Sequence, residues 1–241
     1  MSVVWLLGAS GDIGRAISLQ LAKDGYSIAV CYFTNKKRAE EIVASCFRLG
    51  GFAKSFYLNV KDISSINSAY KEILTTLGEP SIFIYAVGNL HFKLFQDISL
   101  EEYNQVLALH LNGLFLTLQK IVPLFLKKKA GKIIVLSSVF GEVGGACETI
   151  YSLAKGGQNS MVKALAKELA PSNITVNALS IGAIKSKMLD SQLSIKEQDD
   201  LCKNIPLQRL GYPFEVAKAV SYLCTASYVT GQILRLDGGW F

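Results

Sequence analysis

The sequence is poor in charge: Asp, Glu, Lys and Arg make up 18% of its 241 residues, against 50% that are hydrophobic. That balance excludes a self-repelling disordered chain and leaves ample material for a buried core. Nothing divides it. There is no linker-like stretch, repeat or low-complexity run, so one domain over residues 1–241 is the simplest organisation. No apolar run reaches the ~18 residues of a membrane span, and the N-terminus lacks the charged region and cleavage pattern of a secreted protein. A cytoplasmic protein with no membrane partner is expected. Cysteine is also sparse. Cys31, Cys46, Cys147, Cys202 and Cys224 form no CxxC and no zinc spacing, which points to reduced, packed thiols and to no metal site.

The charge that is present sums to +6, a modest excess suited to acidic ligands or partners. Its densest clusters are Lys36-Lys37-Arg38 and Lys127-Lys128-Lys129. Neither is interleaved with aromatics, so no nucleic-acid partner is expected.

Periodicity supplies the fold class. Apolar runs at Val3–Leu7, Ser27–Phe33, Ala53–Leu58, Ile82–Val87, Lys132–Leu136, Thr175–Ser180 and Gln232–Leu236 read as strands. Between them, helical spacing covers Ile13–Lys23, Lys36–Leu49, Ile63–Leu77, Leu100–Lys128, Tyr151–Leu169, Leu189–Lys203 and Phe214–Thr225, with Pro123 expected to interrupt the fourth. Unbroken apolar strands alternating with helices imply an α/β fold: a single Rossmann-type, doubly wound parallel sheet with helices on both faces. Ligands of such sheets bind beyond the carboxyl ends of the strands, where strand order reverses.

The stretch LGASGDIG (Leu7–Gly14) falls at the end of the first strand, where a helix N-terminus offers free N–H groups to phosphates. Alone, such a turn is weak evidence, since short glycine runs also make ordinary turns. The second strand ends Thr34-Asn35-Lys36-Lys37-Arg38, with no acid to hold a ribose 2′-hydroxyl and three bases that suit a 2′-phosphate. The asymmetry favours NADPH over NADH. Ser138 follows the fifth strand, and Tyr151 and Lys155 stand at i and i+4, on one helix face. A cationic Lys155 would lower the pKa of the Tyr151 phenol, which could then give a proton to a ketone oxygen held by Ser138 as hydride reaches the carbon.

At these residues the sequence resembles the short-chain dehydrogenase/reductase family over essentially its whole length. Ser138 with Tyr151-Ser152-Leu153-Ala154-Lys155, Val176-Asn177-Ala178 and Asp237-Gly238-Gly239 carry the likeness. Ile205-Pro206-Leu207 before Arg209-Leu210-Gly211, with Thr230-Gly231-Gln232, looks like the 3-oxoacyl-carrier-protein reductases. The stretch SVFGEVGGACETIYSLAKGG, with ALAKELAPS and the terminal Gly-Gly-Trp, looks closer to a subgroup of bacterial reductases that act on the aminopentanone group of elongation factor P.

The resemblance implies an NADPH-dependent reductase of a ketone carried on an acidic protein, acyl carrier protein or modified elongation factor P. It implies catalytic roles for Ser138, Tyr151 and Lys155, and cofactor contacts at Gly8, Ser10, Gly11, Asp12, Ile13, Gly14, Thr34, Asn59, Val60, Ala86, Gly88, Tyr151, Lys155, Gly182 and Ile184. The family's helix-four asparagine, which anchors a proton-relay water, aligns with His110. A neutral imidazole there can still donate and accept, so His110 joins the catalytic candidates, beside the alternative of a merely packed histidine. Other departures are Leu7 for threonine, Asp12 for the second glycine, Asn59 for the aspartate near the adenine, Ala86 in the Asn-Ala-Gly motif, and Ile181 for proline. Asp12 is expected to cap its helix and turn away from the phosphates. The small residues Ser152, Ala154, Gly156, Gly157 and Ser160 suggest a helix approached by a second copy, since in the family this helix forms a dimer contact, often within a tetramer. The alternative to turnover is a nucleotide-sensing or scaffold protein that keeps the fold.

Overall fold

A computed structural model describes residues 2–241. The strands are β1 Val3–Leu7, β2 Ser27–Tyr32, β3 Phe52–Tyr57, β4 Pro80–Tyr85, β5 Gly131–Ser138, β6 Ile174–Ile181 and β7 Ile233–Leu236. They form one parallel sheet in the order β3-β2-β1-β4-β5-β6-β7. The helices are α1 Asp12–Lys23, α2 Lys36–Arg48, α3 Ile63–Thr76, α4 Leu100–Leu107, α5 Gly113–Lys128, α6 Phe140–Val143, α7 Thr149–Leu169, α8 Lys187–Asp190, α9 Ile195–Asn204 and α10 Pro213–Thr225.

Every residue of β1 is buried because helices cover both faces of the sheet. Successive side chains go to opposite layers. Trp5 and Leu7 join Phe83, Tyr85, Leu114, Ile121, Phe125 and Val162 under α3, α5 and α7. Val4 and Leu6 join Ile17, Leu21, Ile28, Ile42, Val216 and Val220 under α1, α2 and α10. The chain fills one side of β1 with β2 and β3, then crosses to β4 on the other side. The carboxyl ends of β1 and β4, at Leu7 and Tyr85, therefore flank the reversal of strand order.

Three local readings are corrected. Pro123 does not interrupt its helix: α5 runs through it to Lys128. Pro123 and Gln119, whose carbonyl loses its N–H partner, are both exposed, so water can satisfy the freed oxygen. The break lies earlier, where Ala108–Asn112 forms a π turn joining α4 to α5. The expected helix Leu189–Lys203 is two pieces, because Ser194 starts a new helix with a capping box to Glu197. The stretch Leu100–Lys128 is long and apolar enough by composition to cross a membrane, but Leu114, Leu118, Ile121 and Phe125 pack against the sheet. In α7, a Cβ on Gly157 would stand 2.9 Å from the Leu111 side chain and one on Gly156 3.2 Å from the Gly141 carbonyl oxygen. Packing within the chain thus accounts for both glycines. Cys31, Cys46 and Cys224 are buried free thiols, and Cys147 and Cys202 are free and half-buried.

Candidate active site

The glycine turn is built by two obligatory glycines. Gly8 has φ +76°, and a Cβ there would overlap the Ala86 carbonyl oxygen; one on Gly14 would overlap the Gly8 carbonyl oxygen. At Gly11 a side chain would meet only the Gly8 oxygen, at 3.5 Å. The backbone therefore lies close to β4 on one side and open on the other. The first bond of α1 is Arg15 N–H to Gly11 C=O at 2.8 Å, which leaves the N–H groups of Asp12, Ile13 and Gly14 without helical partners. Gly8, Ser10, Gly11, Asp12, Ile13, Gly14, Thr34, Asn59, Val60, Ala86 and Gly88 all line one cleft of about 580 Å³. The size, the exposed N–H groups and the tight glycines fit a dinucleotide pyrophosphate.

Gly182 and Ile184 are not in that wall. Gly182 packs on Asp237, and Ile184 is buried and bridges to Gly211. From the segment after β6, the structure brings Ser186, Lys187 and Met188 to the cleft instead. The sequence carried no signal for them.

Asp12 is the main correction. Gly11, not Asp12, is the N-cap residue of α1, and no side chain caps that helix. The Asp12 carboxylate stands in the cleft wall. It accepts a hydrogen bond from the Arg38 guanidinium and another, at 2.7 Å, from the Lys187 backbone N–H. Burial pushes its pKa up, but the bonds from Lys187 and Arg38 outweigh this and hold it below the usual carboxylate value. It is held by donors from two other segments and does not cap its own helix. Of the three bases after β2, Arg38 lines the cleft, Lys37 lines the adjoining groove, and Lys36 lies in solvent 3.8 Å from Glu40.

Ser138, at the end of β5, and Tyr151, in the first turns of α7, come together, the serine hydroxyl near enough to act on the phenol. Both are buried, as is Lys155 one turn on. The expected lowering of the phenol by Lys155 is not what the geometry gives. Burial raises the Tyr151 pKa, with the Ser138 hydrogen bond pulling the other way and the Glu148 charge adding to the rise. Burial also pushes Lys155 down to about 7. Its Nζ donates to the Leu136 carbonyl oxygen at 2.8 Å and to Gln158 Oε1 at 3.2 Å, while lying 5.6 Å from the Tyr151 ring centre. In this state the pair is a protonated phenol beside a desolvated amine.

His110 belongs to this group. It sits in the π turn, fully buried, with its ring edge-on to Tyr151 at 5.5 Å. Nε2 lies 3.1 Å from both Asn89 oxygens and 3.5 Å from the Asn89 backbone N–H, so Asn89 offers this nitrogen a partner in either tautomer. Nδ1 is buried without a partner. Burial, reinforced by the nearby charge of Lys155, lowers the pKa of His110 to about 3. The ring is therefore neutral throughout the working pH range. Sequence reasoning also missed Glu148, the N-cap residue of α7, whose carboxyl makes no cap bond and whose Oε2 is buried without a partner.

A doubly wound sheet with a phosphate-shaped glycine turn at its crossover and a buried Ser-Tyr-Lys set beside it defines a nucleotide-dependent oxidoreductase. Comparison with known proteins agrees. Residues 8–241 match the family described as enoyl-(acyl carrier protein) reductase. The chain is 36% identical over 237 residues to "Uncharacterized oxidoreductase YmfI" of Bacillus subtilis, covering 98% of this chain and 97% of that protein. It is 35% identical over 236 residues to the 3-oxoacyl-[acyl-carrier-protein] reductase FabG of Staphylococcus aureus (97% and 96% covered). Against the 3-oxoacyl-[acyl-carrier-protein] reductase of Synechocystis the identity is 34% over 240 residues (98% and 96%). The chain belongs to the short-chain dehydrogenase/reductase family, and it is an oxidoreductase of the kind that works with a nicotinamide cofactor.

Proposed function

We propose that this chain is an NADPH-dependent carbonyl reductase of the 3-oxoacyl-carrier-protein reductase type. Its substrate is a ketone presented on an acidic carrier, acyl carrier protein or aminopentanone-modified elongation factor P. The observation that carries the reading is the buried Ser138-Tyr151-Lys155 set at the carboxyl ends of the strands, next to a nucleotide cleft whose far rim holds Arg38 and no acid from β2.

Gly8, Gly14 and the turn's N–H groups would hold the pyrophosphate, and Arg38 would meet the 2′-phosphate. A reduced nicotinamide held there would supply the hydride for the carbonyl carbon. Ser138 donates a hydrogen bond to the carbonyl oxygen and fixes its position. Tyr151, kept protonated by burial, releases its proton to that oxygen, so that one hydride and one proton convert C=O to CH–OH. Lys155 stabilises the phenolate left behind. His110, a neutral imidazole edge-on to Tyr151, would pass the next proton inward.

The enzyme acts in the cytoplasm as a homo-oligomer, dimer or tetramer, without membrane or nucleic acid. Leu100, Phe115 and Leu153, on α4, α5 and α7, are large apolar side chains left exposed, which supports association with a second copy. The test is NADPH consumption by the purified protein with an acetoacetyl thioester and with aminopentanone-modified elongation factor P. Turnover of one and not the other identifies the carrier; turnover of neither refutes the reductase reading.

A further inference from the structure

The short helix α6, which follows Ser138, touches two of the three catalytic groups. The Phe140 N–H donates to Ser138 Oγ at 3.3 Å. A serine hydroxyl has one proton to give and two lone pairs to receive, so an oxygen that already accepts from Phe140 keeps its own O–H for the phenol and the carbonyl oxygen. One residue on, Gly141 lies against the backbone of α7: a Cβ there would stand 2.7 Å from the Lys155 carbonyl carbon and 2.9 Å from the Gly156 nitrogen. A single turn of helix with no side-chain cap does not hold such a position alone. What holds it comes from 93 positions away. Arg235, on β7, donates from Nη2 to Glu142 Oε2 at 3.1 Å and from Nε to Oε1 at 3.4 Å, and Oε1 also accepts the Ser180 hydroxyl. Burial raises the Glu142 carboxyl, but the bonds from Arg235 and Ser180 outweigh it and keep it below its usual value, so the fork stays charged.

The same guanidinium donates from Nη1 to the Phe241 carbonyl oxygen, and the Asp237 carboxylate accepts the Gly239 and Phe241 N–H groups at 2.9 and 3.2 Å. Residues 235–241 therefore fold back on themselves and lay Trp240 and Phe241 edge-on against the Phe140 ring, with centres 5.6 and 6.1 Å away. We propose that Arg235 and Trp240 are positioning residues: through Glu142 and Phe140 they hold α6 in the one place where Ser138 is left as a donor and the Lys155 backbone is pressed into line. Resting on the reductase reading, this adds a strap to the catalytic set from residues that sit at the far end of the sequence. None of the strap's side chains lines the nucleotide cleft, so its effect falls on the chemistry and not on cofactor binding.

The experiment compares the unaltered protein with Arg235→Ala, Trp240→Ala and the conservative Trp240→Phe. Backbone amide exchange over residues 139–156 is followed by mass spectrometry, NADPH affinity by fluorescence, and kcat and KM with an acetoacetyl thioester. Both alanine variants should exchange faster over 139–156 and not elsewhere. Their kcat should fall by at least about tenfold, with KM and NADPH affinity within about twofold of the unaltered values. Trp240→Phe, which keeps a ring against Phe140, should recover most of the lost kcat. Trp240→Ala keeps the test open should Arg235→Ala not fold. Unchanged exchange over 139–156 in the alanine variants overturns the proposal. So does faster exchange with ordinary kcat, or a loss carried by KM or by NADPH affinity. The exchange arm does not depend on turnover. Faster exchange over 139–156 in a protein whose unaltered form reduces no ketone supports the hold on Ser138 and counts against the reductase reading instead.

Discussion

Asp12 and Arg38, at the starts of α1 and α2, form an ion pair on the rim of the nucleotide cleft. The cation proposed to meet a 2′-phosphate thus already holds a carboxylate, and the same carboxylate ties down the Lys187 backbone N–H. Removing its charge should free Arg38 and relieve repulsion of the phosphate. Asp12→Asn should therefore tighten NADPH binding severalfold, with a smaller gain for NADH. Fluorescence titration of both cofactors checks this, and unchanged NADPH affinity would return Asp12 to the role of a bystander.

Cofactor choice should rest on Arg38 more than on its neighbours. NADPH should be preferred over NADH by at least about tenfold, or ~1.4 kcal/mol. Arg38→Ala should remove most of that preference, whereas Lys36→Ala, at a side chain in solvent beside Glu40, should leave it intact. Affinities of both cofactors for the two variants decide the matter. Equal use of NADH and NADPH by the unaltered protein contradicts the assignment.

Tyr151→Phe keeps the ring and its packing against His110 while deleting the transferable proton. Turnover should fall by at least about a hundredfold, with NADPH binding retained. Stopped-flow and binding measurements on the variant separate the two effects. A variant with ordinary turnover would take Tyr151 out of the acid role.

His110 gives the stability profile a sign. Its folded pKa, about 3, lies below the ordinary 6.5 because of burial and the charge of Lys155. The unfolded chain therefore binds the extra proton first, and stability falls as pH drops from about 6.5 toward 3. His110→Gln should flatten this part of the profile. Denaturant melts at pH 7 and pH 5 should show the unaltered protein losing more stability than the variant, by roughly 1–2 kcal/mol. An equal loss in both would mean that the imidazole is not held neutral.

How legible the molecule was depended on which atoms carried each feature. Strand runs such as Val3–Leu7 were readable because a sheet buried on both faces writes itself as unbroken apolar sequence. Gly8 and Gly14 were readable because a close backbone approach admits only glycine there. Ser138, Tyr151 and Lys155 were readable from spacing, but the state of the pair was not. Proximity to a lysine suggested a lowered phenol, and burial of both groups reversed the expectation. Asp12 was misread because its partners lie 26 and 175 positions away, beyond any local rule of capping. Glu148 gave no signal because the absence of a partner can be seen only in three dimensions.

The π turn at Ala108–Asn112 has a consequence for redesign and descent. Its widened backbone offers two successive carbonyls to side chains of other elements: Tyr85 Oη donates to the Leu109 oxygen at 2.5 Å, and Gln158 Nε2 to the His110 oxygen at 2.8 Å. Gln158 in turn accepts from Lys155. The reactive amine is thus braced to the sheet through peptide oxygens that every amino acid possesses. Point substitution at residues 109 and 110 cannot delete those acceptors. A single-residue deletion there is different. It would rewind the turn into ordinary helix, turn both oxygens away and release the brace while Ser138, Tyr151 and Lys155 all remained present. Length, more than identity, is what this segment must conserve.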